Sequence, residues 1–467
     1  MVSLPSAPVR GDTYYLADGT YGAYTLTTAN SGTTRITIKK AQAYDFGRTA
    51  DGCPNDISAG WNAGTMGAAQ AIFSATAGSV STTSGQGYIT FDGNGTSATA
   101  GCGVSPAVNA AASDCGIKMQ TASTSASTYG VLWINSTFDT GATRALNWVV
   151  RYVELQGAGD AGNGIANSNE HTFYCRNGCN NLLVEHSYFH NSACDFIDTP
   201  YGDGVTFNLN HFKQNASSAN CHGQFFLGDG NQMNNFTFSN NLIEDVQGTA
   251  YWSILNGGQA SNWQVFNNVI FQLPTSTRPG ISTGTFVVVN TGSFATGINL
   301  IDNTWVGDHA DFSNHFGAAC DSSNCTGTFN EQGSLYYLVV DDQDGPSNQT
   351  PIVGPTGDFP NATESYNSII NSGTVNFGYT GTGDIKAVSQ ANPFINWPAY
   401  NFRLTGNGTN VNSFISLTSP YNVDFVGNAR PSGGTWNRGA FQFAATAPST
   451  TGVISGSTIV SGNVVIQ

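Results

Sequence analysis

The sequence predicts an all-β solenoid, in which coils of short parallel strands stack on one another. The first observation is a repeat: four segments share an apolar residue in the first and sixth places and a small polar residue in the fourth. They are VEHSYFHN from Val184, FNLNHFKQ from Phe207, FSNNLIED from Phe238 and VFNNVIFQ from Val265. A fifth segment, LIDNTWVG from Leu300, fits the same pattern. Repeats of about 20–50 residues are typical of solenoids.

The second observation is the polar residue itself. The fourth places are Ser187, Asn210, Asn241, Asn268 and Asn303. Asn side chains stacked from coil to coil can hydrogen-bond to one another and satisfy backbone groups that a tight bend leaves unpaired. An antiparallel sandwich is the alternative, but it gives no reason for one polar place to recur.

The composition agrees with a chain of strands and turns. Aromatic residues make up 12% of the chain, which is enough for a large core, and charged residues only 10%. The residues that favour helices are therefore scarce, and Gly, Asn, Ser and Thr suit short strands joined by tight turns.

The N-terminal part is predicted to be a cap followed by less regular coils. Residues 10–41 alternate apolar and polar residues with Gly and Asp at the turns, which predicts short strands within a cap over 8–45. The Gly-, Ala- and Ser-rich stretches 42–86 and 94–127 are interpreted as loops. Regular coils are expected over 129–310.

The C-terminal part loses the repeat. Residues 317–395 contain one evident strand and are interpreted as a long insertion, and long ordered loops on a rigid scaffold often shape binding sites. Residues 396–446 are expected to cap the coils, so the solenoid would occupy 1–446. The Ser-, Thr- and Val-rich tail 447–467 would be a linker or a strand that covers the open end.

The cysteines indicate an oxidising compartment. Eight of the nine fall into close pairs, which is typical of disulfides in secreted proteins. The pairs are Cys102 with Cys115, Cys175 with Cys179, Cys194 with Cys221, and Cys320 with Cys325. A zinc site is the alternative, although no CxxC…CxxC or CxxC…HxxxH spacing occurs.

Charge and hydropathy exclude some partners. Thirty acidic and fifteen basic residues give a net charge of −15, so we expect no nucleic-acid partner and no anionic membrane surface. No apolar stretch of about 18 residues occurs, so we expect no membrane span. The N-terminal residues lack an apolar signal core, and we expect a secreted protein from which the signal peptide has been removed.

Both ends of the chain resemble secreted bacterial right-handed parallel β-helix proteins. The stretches GDTYYLADGTY from Gly11 and ITIKK from Ile36 match the strands that open that fold, and Asn401–Leu404, Asp424–Pro431 and Gly439–Phe441 match its closing segment. The resemblance implies a single-stranded right-handed parallel β-helix with an N-terminal cap and a C-terminal capping segment. Polysaccharide lyases, glycosidases, phage tailspikes and adhesins share this fold, so the resemblance leaves the function open.

One group of candidate residues lies on the repeated strands. Side chains alternate between the two faces of a strand, so the fifth and seventh places point outward. His190, Lys213 and Glu244 should form one outward row, with Tyr188 and His211 beside it. Lys213 with His190 or His211 could act in a lyase, which needs a cation to neutralise a uronate and a base to take the neighbouring proton. A solvated ion-pair ladder is the alternative.

A second group lies on the neighbouring predicted strands. Asp195 and Asp198 share one strand, and His222 follows one coil later. This order resembles the Asp strand and the Gly-His-Gly strand of polygalacturonases, which implies that the two Asp residues act as acid and base and that His222 is their partner. The family's adjacent Asp-Asp pair, Asn-Thr-Asp and Arg-Ile-Lys are absent from this sequence.

Residues around these two groups are predicted to contact a substrate. They are His211, Asp229, Tyr251, Arg176 and Gln224. Tyr251 is the aromatic residue that we expect to be exposed, as a ring on which a sugar can stack. Asp229 lies in a Gly-Asp-Gly turn, which is compatible with a structural calcium ion, although turn chemistry alone also explains it. No cofactor is required.

The sequence therefore favours a secreted carbohydrate-active enzyme that hydrolyses a polysaccharide or oligosaccharide in a groove across residues 170–260. Carboxylates outnumber cations among its candidates, which suits glycoside hydrolysis. The catalytic candidates are Asp195, Asp198, His222, Lys213, Glu244 and His190. A polysaccharide lyase is one alternative. A non-catalytic surface, tailspike-like or filament-forming protein is the other, and an oligomer is compatible with all three.

Overall fold

A computed structural model describes residues 4–443 of the chain, apart from gaps. The larger gaps are 46–61, 94–101, 105–114, 122–128, 136–144, 160–169, 216–220, 289–293, 308–317, 321–326, 340–360 and 372–380. Three long sheets of parallel strands dominate the described residues. We call them sheets A, B and C.

Each sheet collects one strand from successive coils. The main path of sheet A contains β1 (Thr13–Leu16), β4 (Ile36–Lys40), β7 (Ile89–Asp92), β11 (Val149–Arg151), β15 (Leu183–Glu185), β19 (Thr206–Asn208), β23 (Thr237–Ser239), β26 (Gln259–Phe266), β29 (Phe294–Ile301), β32 (Phe329–Gln332) and β34 (Ala362–Ser365). A side lane that joins it at β26 contains β10 (Ala145–Leu146), β14 (Cys179–Asn180), β18 (Gly202–Asp203) and β22 (Gln232–Asn234).

Sheet B follows sheet A in each coil, and sheet C follows sheet B in the described coils as far as β31. Sheet B contains β2 (Gly19–Tyr21), β5 (Ala71–Ala75), β8 (Ile117–Thr121), β12 (Val153–Gln156), β16 (Tyr188–Ser192), β20 (His211–Asn215), β24 (Leu242–Glu244), β27 (Val269–Gln272), β30 (Thr304–Gly307), β33 (Leu335–Tyr337), β35 (Ser368–Ile370) and β36 (Ile385–Val388). Sheet C contains β3 (Tyr24–Leu26), β6 (Val80–Thr82), β9 (Tyr129–Asn135), β13 (Glu170–Arg176), β17 (Ile197–Asp198), β21 (Phe226–Asp229), β25 (Gly248–Leu255), β28 (Ile281–Val288) and β31 (Ala318–Cys320). This is the architecture of a parallel β-helix, and the fold prediction is confirmed.

The repeat builds the core because its apolar places pair in register. Val184 lies opposite Phe207 in sheet A, and Phe189 lies opposite Phe212 in sheet B. These side chains are fully buried and belong to one continuous core. The residue in the third place, such as Leu209, has a positive φ of 58°, which turns the chain from sheet A into sheet B.

The predicted Asn ladder is present at this turn. The backbone N–H of each fourth-place residue donates to the side-chain oxygen of the next one. The N–H of Ser187 reaches Asn210 Oδ1 at 3.0 Å, that of Asn210 reaches Asn241 at 2.9 Å, that of Asn241 reaches Asn268 at 2.9 Å, and that of Asn268 reaches Asn303 at 3.0 Å. All five side chains are buried. The ladder therefore satisfies N–H groups that the bend would otherwise leave unpaired inside the protein.

The interpretation of 317–395 as an insertion with one strand is wrong for its described parts. Strands β31 to β36 lie within this range and pair with the preceding coils. The ladder also continues, because the N–H of Ser334 donates to Asn367 Oδ1 at 2.8 Å. The hydrophobic pattern of the repeat does not extend into this range because Glu331 and Glu364 occupy the first place, where earlier coils have an apolar residue.

The C-terminal segment covers the outer face of the last coils. Its strands β37 (Phe394–Asn396) and β38 (Asn401–Leu404) form an antiparallel pair joined by a short 3-10 helix, Trp397–Ala399. Phe394 and Phe402 pack with Phe271 of sheet B in a second apolar cluster. Burial of each such ring contributes about 2 kcal/mol, which fixes the segment to the coils. A second 3-10 helix spans Thr409–Val411.

Three of the predicted disulfides are present. They are Cys102–Cys115, Cys175–Cys179 and Cys194–Cys221. The fourth pair, Cys320 with Cys325, lies outside the described residues, since only the backbone of Cys320 is described. Within the described ranges, no helix is long and apolar enough to cross a membrane.

Candidate functional site

Two groups of titratable side chains lie on the coils between residues 118 and 244. The first, which we call the sheet C cluster, contains Glu170, His171, Asp195 and Asp198. Strand β13 begins with Glu170 and His171, and Asp198 ends β17 on the next coil, opposite Tyr174. Asp195 lies in the bend that leads into β17. Parallel stacking therefore brings together residues that are about one coil apart in sequence.

His171 contacts both carboxylates of the sheet C cluster. Its Nδ1 lies 3.2 Å from Asp195 Oδ2, and its Nε2 lies 3.7 Å from Asp198 Oδ2. His171 is 3% exposed, Asp195 2% and Asp198 6%. The His171 ring also lies 5.1 Å from the ring of Tyr174, measured between centroids. One buried imidazole thus lies between two buried carboxyl groups.

This environment changes the pKa values of two groups. Burial alone would lower the pKa of His171, but contact with Asp195 and the charge of Asp198 outweigh it, and the pKa is raised. Burial raises the pKa of Glu170 to about 7, although the backbone N–H of Ala158 donates to its Oε2 at 2.7 Å. Both groups therefore keep a proton to a higher pH than they would in water.

Several polar atoms around the cluster are buried without a hydrogen bond. Among the described residues, no partner is present for Glu170 Oε1, Thr172 Oγ1 or Thr199 Oγ1. An unsatisfied buried polar atom costs about 1–3 kcal/mol. Each such atom calls for an explanation, and a functional role is one of those that proteins show.

The Cys194–Cys221 disulfide borders the sheet C cluster. It joins the bend before β17 to the residues before β21, one coil later. Cys221 Sγ lies 3.7 Å from Asp195 Oδ1 and accepts the backbone N–H of Gly223 at 3.2 Å. The disulfide therefore fixes the position of Asp195 relative to the next coil.

The second group, which we call the sheet B cluster, contains the predicted outward row. Pairing places His190 opposite Lys213 and Lys213 opposite Glu244, with Tyr188 opposite His211 in the adjacent column. The predicted arrangement of this row is confirmed. The row projects from consecutive strands β16, β20 and β24.

Two buried glutamates organise the sheet B cluster. Glu154 Oε1 lies 2.7 Å from Lys118 Nζ and 2.9 Å from His190 Nε2. Glu244 Oε2 lies 3.0 Å from His211 Nε2, and its Oε1 lies 2.8 Å from Lys213 Nζ. Each carboxylate thus has one lysine and one histidine as partners, so the row is a paired network rather than a set of free charges.

The C-terminal segment closes this network. Tyr400, in a left-handed conformation with φ of 63°, donates its hydroxyl to Glu244 Oε1 at 2.7 Å. The same hydroxyl accepts a hydrogen bond from Lys213 Nζ at 3.1 Å. Tyr188 separates the two halves of the cluster, because its ring stacks on His190 at 4.6 Å and lies 5.1 Å from His211.

The charges of the sheet B cluster follow from this pairing. Burial opposes ionisation of Glu244, but His211 and Lys213 outweigh it and lower the pKa. Burial would lower the pKa of Lys213, and Glu244 raises it overall. Burial lowers the pKa of His211 although contact with Glu244 opposes this, which favours the neutral imidazole. A neutral imidazole beside an ammonium group is the combination that proton abstraction next to a carboxylate requires.

The other predicted substrate contacts have mixed outcomes. The prediction that Tyr251 is exposed is wrong: it is 3% exposed and packs against Trp305 in the core, next to a register shift in the pairing of β25 with β28. Gln224 is also buried. His222 lies outside the described residues, and Asp229 and Arg176 are described by their backbone alone.

The sequence does not indicate that Lys118 or Tyr400 belongs to these clusters, and it places Glu170 and His171 only at the upper edge of the predicted groove. The resemblance to polygalacturonases implies instead that His222, one coil after the two Asp residues, is their partner. Lys118 precedes the regular repeat. Tyr400 lies 187 residues after Lys213, and no sequence pattern connects them.

Comparison with known proteins adds no family to these observations. No model of a known protein family matches this chain, and no curated protein sequence is similar to it. The fold is shared by enzymes and by structural proteins, so the function must be inferred from the chemistry of the two clusters.

Proposed function

We propose that this protein is a secreted carbohydrate-active enzyme that hydrolyses a polysaccharide at the sheet C cluster. The observation that supports the proposal is the contact of His171 with both Asp195 and Asp198. Glycoside hydrolysis needs an acid that protonates the leaving oxygen and a carboxylate that activates water or attacks the sugar. Two carboxyl groups on either side of one imidazole supply this pair of roles.

The exposure of the three side chains suggests how the roles are divided. The side chain of Asp198 is 9% exposed, against 2% for Asp195 and 4% for His171. Asp198 is therefore the group that meets the substrate, and it projects from the same outer column as the half-buried Tyr174 and Leu227. Asp195 supplies the second carboxyl group, and His171 holds both in position. The three disulfides fit an oxidising, extracellular setting.

A second candidate function is β-elimination at the sheet B cluster. The observation that favours it is the contact of Lys213 and of the buried His211 imidazole with the same carboxyl group, that of Glu244, and burial lowers the pKa of this imidazole. Lys213 is the more exposed of the two, so it would neutralise a uronate while the imidazole takes the proton. A lyase releases an unsaturated uronate, whose conjugated double bond absorbs ultraviolet light. The products of a hydrolase lack this double bond and this absorbance.

Digestion of a panel of neutral and acidic polysaccharides tests these proposals. We expect the wild-type chain to release reducing ends without the ultraviolet absorbance of an unsaturated uronate. Asp198→Asn should lower the rate of this release by at least about 100-fold. Asp203→Asn is the matched control, because Asp203 is an exposed carboxylate on the side lane of sheet A. Unsaturated products that disappear in Lys213→Ala would support the lyase instead. If the chain cleaves no glycan, whether or not it binds one, the non-catalytic alternative is supported.

A further inference from the structure

The residues around the Cys194–Cys221 disulfide have the chemistry of a metal site. A nitrogen of His171, the sulfur of Cys194 and a carboxylate oxygen of Asp195 all lie within 4.8 Å of one another, and all three residues are buried. Cys221 adds a second sulfur, since it is bonded to Cys194. We propose that reduction of this disulfide converts the four side chains into a zinc site.

The distances fit a tetrahedral ion. Zinc binds nitrogen, oxygen and sulfur ligands at about 2.0–2.3 Å, so neighbouring ligands of a tetrahedral ion lie roughly 3.5 Å apart. His171 Nδ1 and Asp195 Oδ2 are 3.2 Å apart, and Cys221 Sγ and Asp195 Oδ1 are 3.7 Å apart. Cys221 is not among the three residues whose ligand atoms all lie within 4.8 Å of one another, so its sulfur must separate from that of Cys194 and approach the other ligands. Reduction of the bond between the two sulfurs allows this movement.

The chemical step balances with a dithiol as the reductant. The dithiol transfers two electrons and two protons to the disulfide, giving the thiols of Cys194 and Cys221, and is itself oxidised to a cyclic disulfide. A divalent zinc ion then replaces the two thiol protons, which are released to solvent. The backbone N–H of Gly223, which already donates to Cys221 Sγ at 3.2 Å, would stabilise the metal-bound thiolate.

The scaffold around the four ligands does not depend on the disulfide alone. Strand β17 pairs with β13 on one side and with β21 on the other. This pairing keeps His171, Asp195 and Cys221 on adjacent coils after the covalent bond is broken. Among the described residues, this is the one group of three or more His, Cys, Asp or Glu residues close enough to hold an ion.

The metal site would compete with hydrolysis. Zinc on His171 Nδ1 and Asp195 would occupy the imidazole nitrogen and the carboxyl group that the proposed hydrolysis uses, so the reduced, zinc-loaded chain should be inactive; this consequence rests on the proposed function. Zinc binding itself does not depend on that function. A spectroscopic measurement of metal binding therefore separates failure of one proposal from failure of the other.

Cobalt(II) substitution in the full chain tests the zinc site. The chain is reduced with a dithiol, separated from the dithiol by gel filtration under nitrogen, and titrated with Co²⁺ and then with Zn²⁺, and its β-sheet content is followed by circular dichroism. We expect one Co²⁺ per chain with the visible bands of tetrahedral coordination and a thiolate charge-transfer band, both lost when Zn²⁺ is added. Before reduction, neither band should form.

Matched variants identify the ligands. The double variant Cys194→Ser/Cys221→Ser should abolish the charge-transfer band, and His171→Ala should weaken binding by at least about 10-fold. The control is Cys102→Ser/Cys115→Ser, which removes a different disulfide and should leave the bands unchanged. The proposal is overturned if the reduced wild-type chain gives no bands or loses its β structure, or if the bands persist in Cys194→Ser/Cys221→Ser.

Discussion

Glu331 lies directly opposite Glu364 in sheet A, so two carboxyl groups on consecutive coils point into the core. Both side chains are buried, and they stand in the column that holds Val265 and Leu300 on the two preceding coils. Tyr336 donates its hydroxyl to Glu331 Oε1. Two carboxylates this close in an apolar core cannot both be ionised at little cost, so the last coils should respond to pH.

The first prediction follows from this pair. Burial raises the pKa of Glu331 to about 8 from an ordinary value of 4.5. A carboxyl group with a raised pKa in the folded state stabilises the fold below its unfolded pKa, and this stabilisation is lost as the pH rises through the folded pKa. Between about pH 4.5 and 8, the free energy of unfolding of the wild-type chain should therefore fall by a few kcal/mol.

Denaturant unfolding at several pH values between 4.5 and 8.5 measures this effect. Glu331→Gln should make the decline shallower, and Asp302 should still contribute, because burial raises its pKa to about 7. Glu185→Gln, on the outer face of sheet A, is the control and should leave the slope unchanged. An unaltered slope in Glu331→Gln would show that this carboxyl group is not the one that responds.

The second prediction concerns the Asn ladder. Asn241 Oδ1 accepts the backbone N–H of Asn210 at 2.9 Å, and Asn241 Nδ2 donates to the carbonyl of Phe207 at 3.0 Å. Asn241→Ala leaves both partners buried and unpaired, so it should lower the free energy of unfolding by about 2–5 kcal/mol. Equilibrium denaturation checks this value. The control is Asn262→Ala, which removes an exposed amide from β26 and should lower the free energy of unfolding by less than about 1 kcal/mol.

The third prediction concerns Tyr400. Tyr400→Phe keeps the ring against Phe271 but removes the hydroxyl between Lys213 and Glu244. The loss of two charge-assisted hydrogen bonds should destabilise the chain by about 1–3 kcal/mol. Thermal unfolding measures it, with Tyr14→Phe as a control at a more exposed hydroxyl. Hydrolysis at the sheet C cluster should be unaffected, whereas a lyase reaction at the sheet B cluster should slow.

The fourth prediction concerns the attachment of the C-terminal segment. Arg430 is buried and donates to Asn267 Oδ1 at 3.0 Å and to the carbonyl of Gly439 at 2.9 Å. It also lies 3.7 Å from Asp302. Arg430→Ala leaves these acceptors unpaired and should cost about 3–5 kcal/mol. Limited proteolysis should then cut the C-terminal segment first, and the same rate of cutting as in the exposed variant Arg403→Ala would contradict this.

The sequence predicts the features that depend on contacts between neighbouring coils. The fourth-place amides and the outward row from His190 to Glu244 recur at regular places, so their partners follow from strand register. Contacts between segments that are far apart in the sequence do not recur at regular places, so the repeat does not predict them. Tyr400 reaches the sheet B cluster through the fold of the C-terminal segment, and the pairing of His171 with Asp195 depends on the shape of the bend at 191–196.

The last coils show a second reason why the sequence pattern predicts only part of the fold. Glu331 and Glu364 replace apolar residues in the first place, and a pattern based on hydrophobicity stops where they begin. The polar fourth place continues through Ser334 and Asn367, so a small polar residue at this place extends the repeat into the last coils. Hydrogen-bonding places are thus a more durable sign of this fold than apolar ones.

The Asn ladder also determines how this chain can vary. Its successive steps span 23, 31, 27 and 35 residues, yet every step makes the same hydrogen bond. Differences in length are therefore absorbed in the loops between sheets, while the bend from sheet A to sheet B stays fixed. Loops that border either cluster can lengthen or shorten without a change in the register of the core. A protein built in this way can acquire a new binding groove by exchanging loops, one coil at a time.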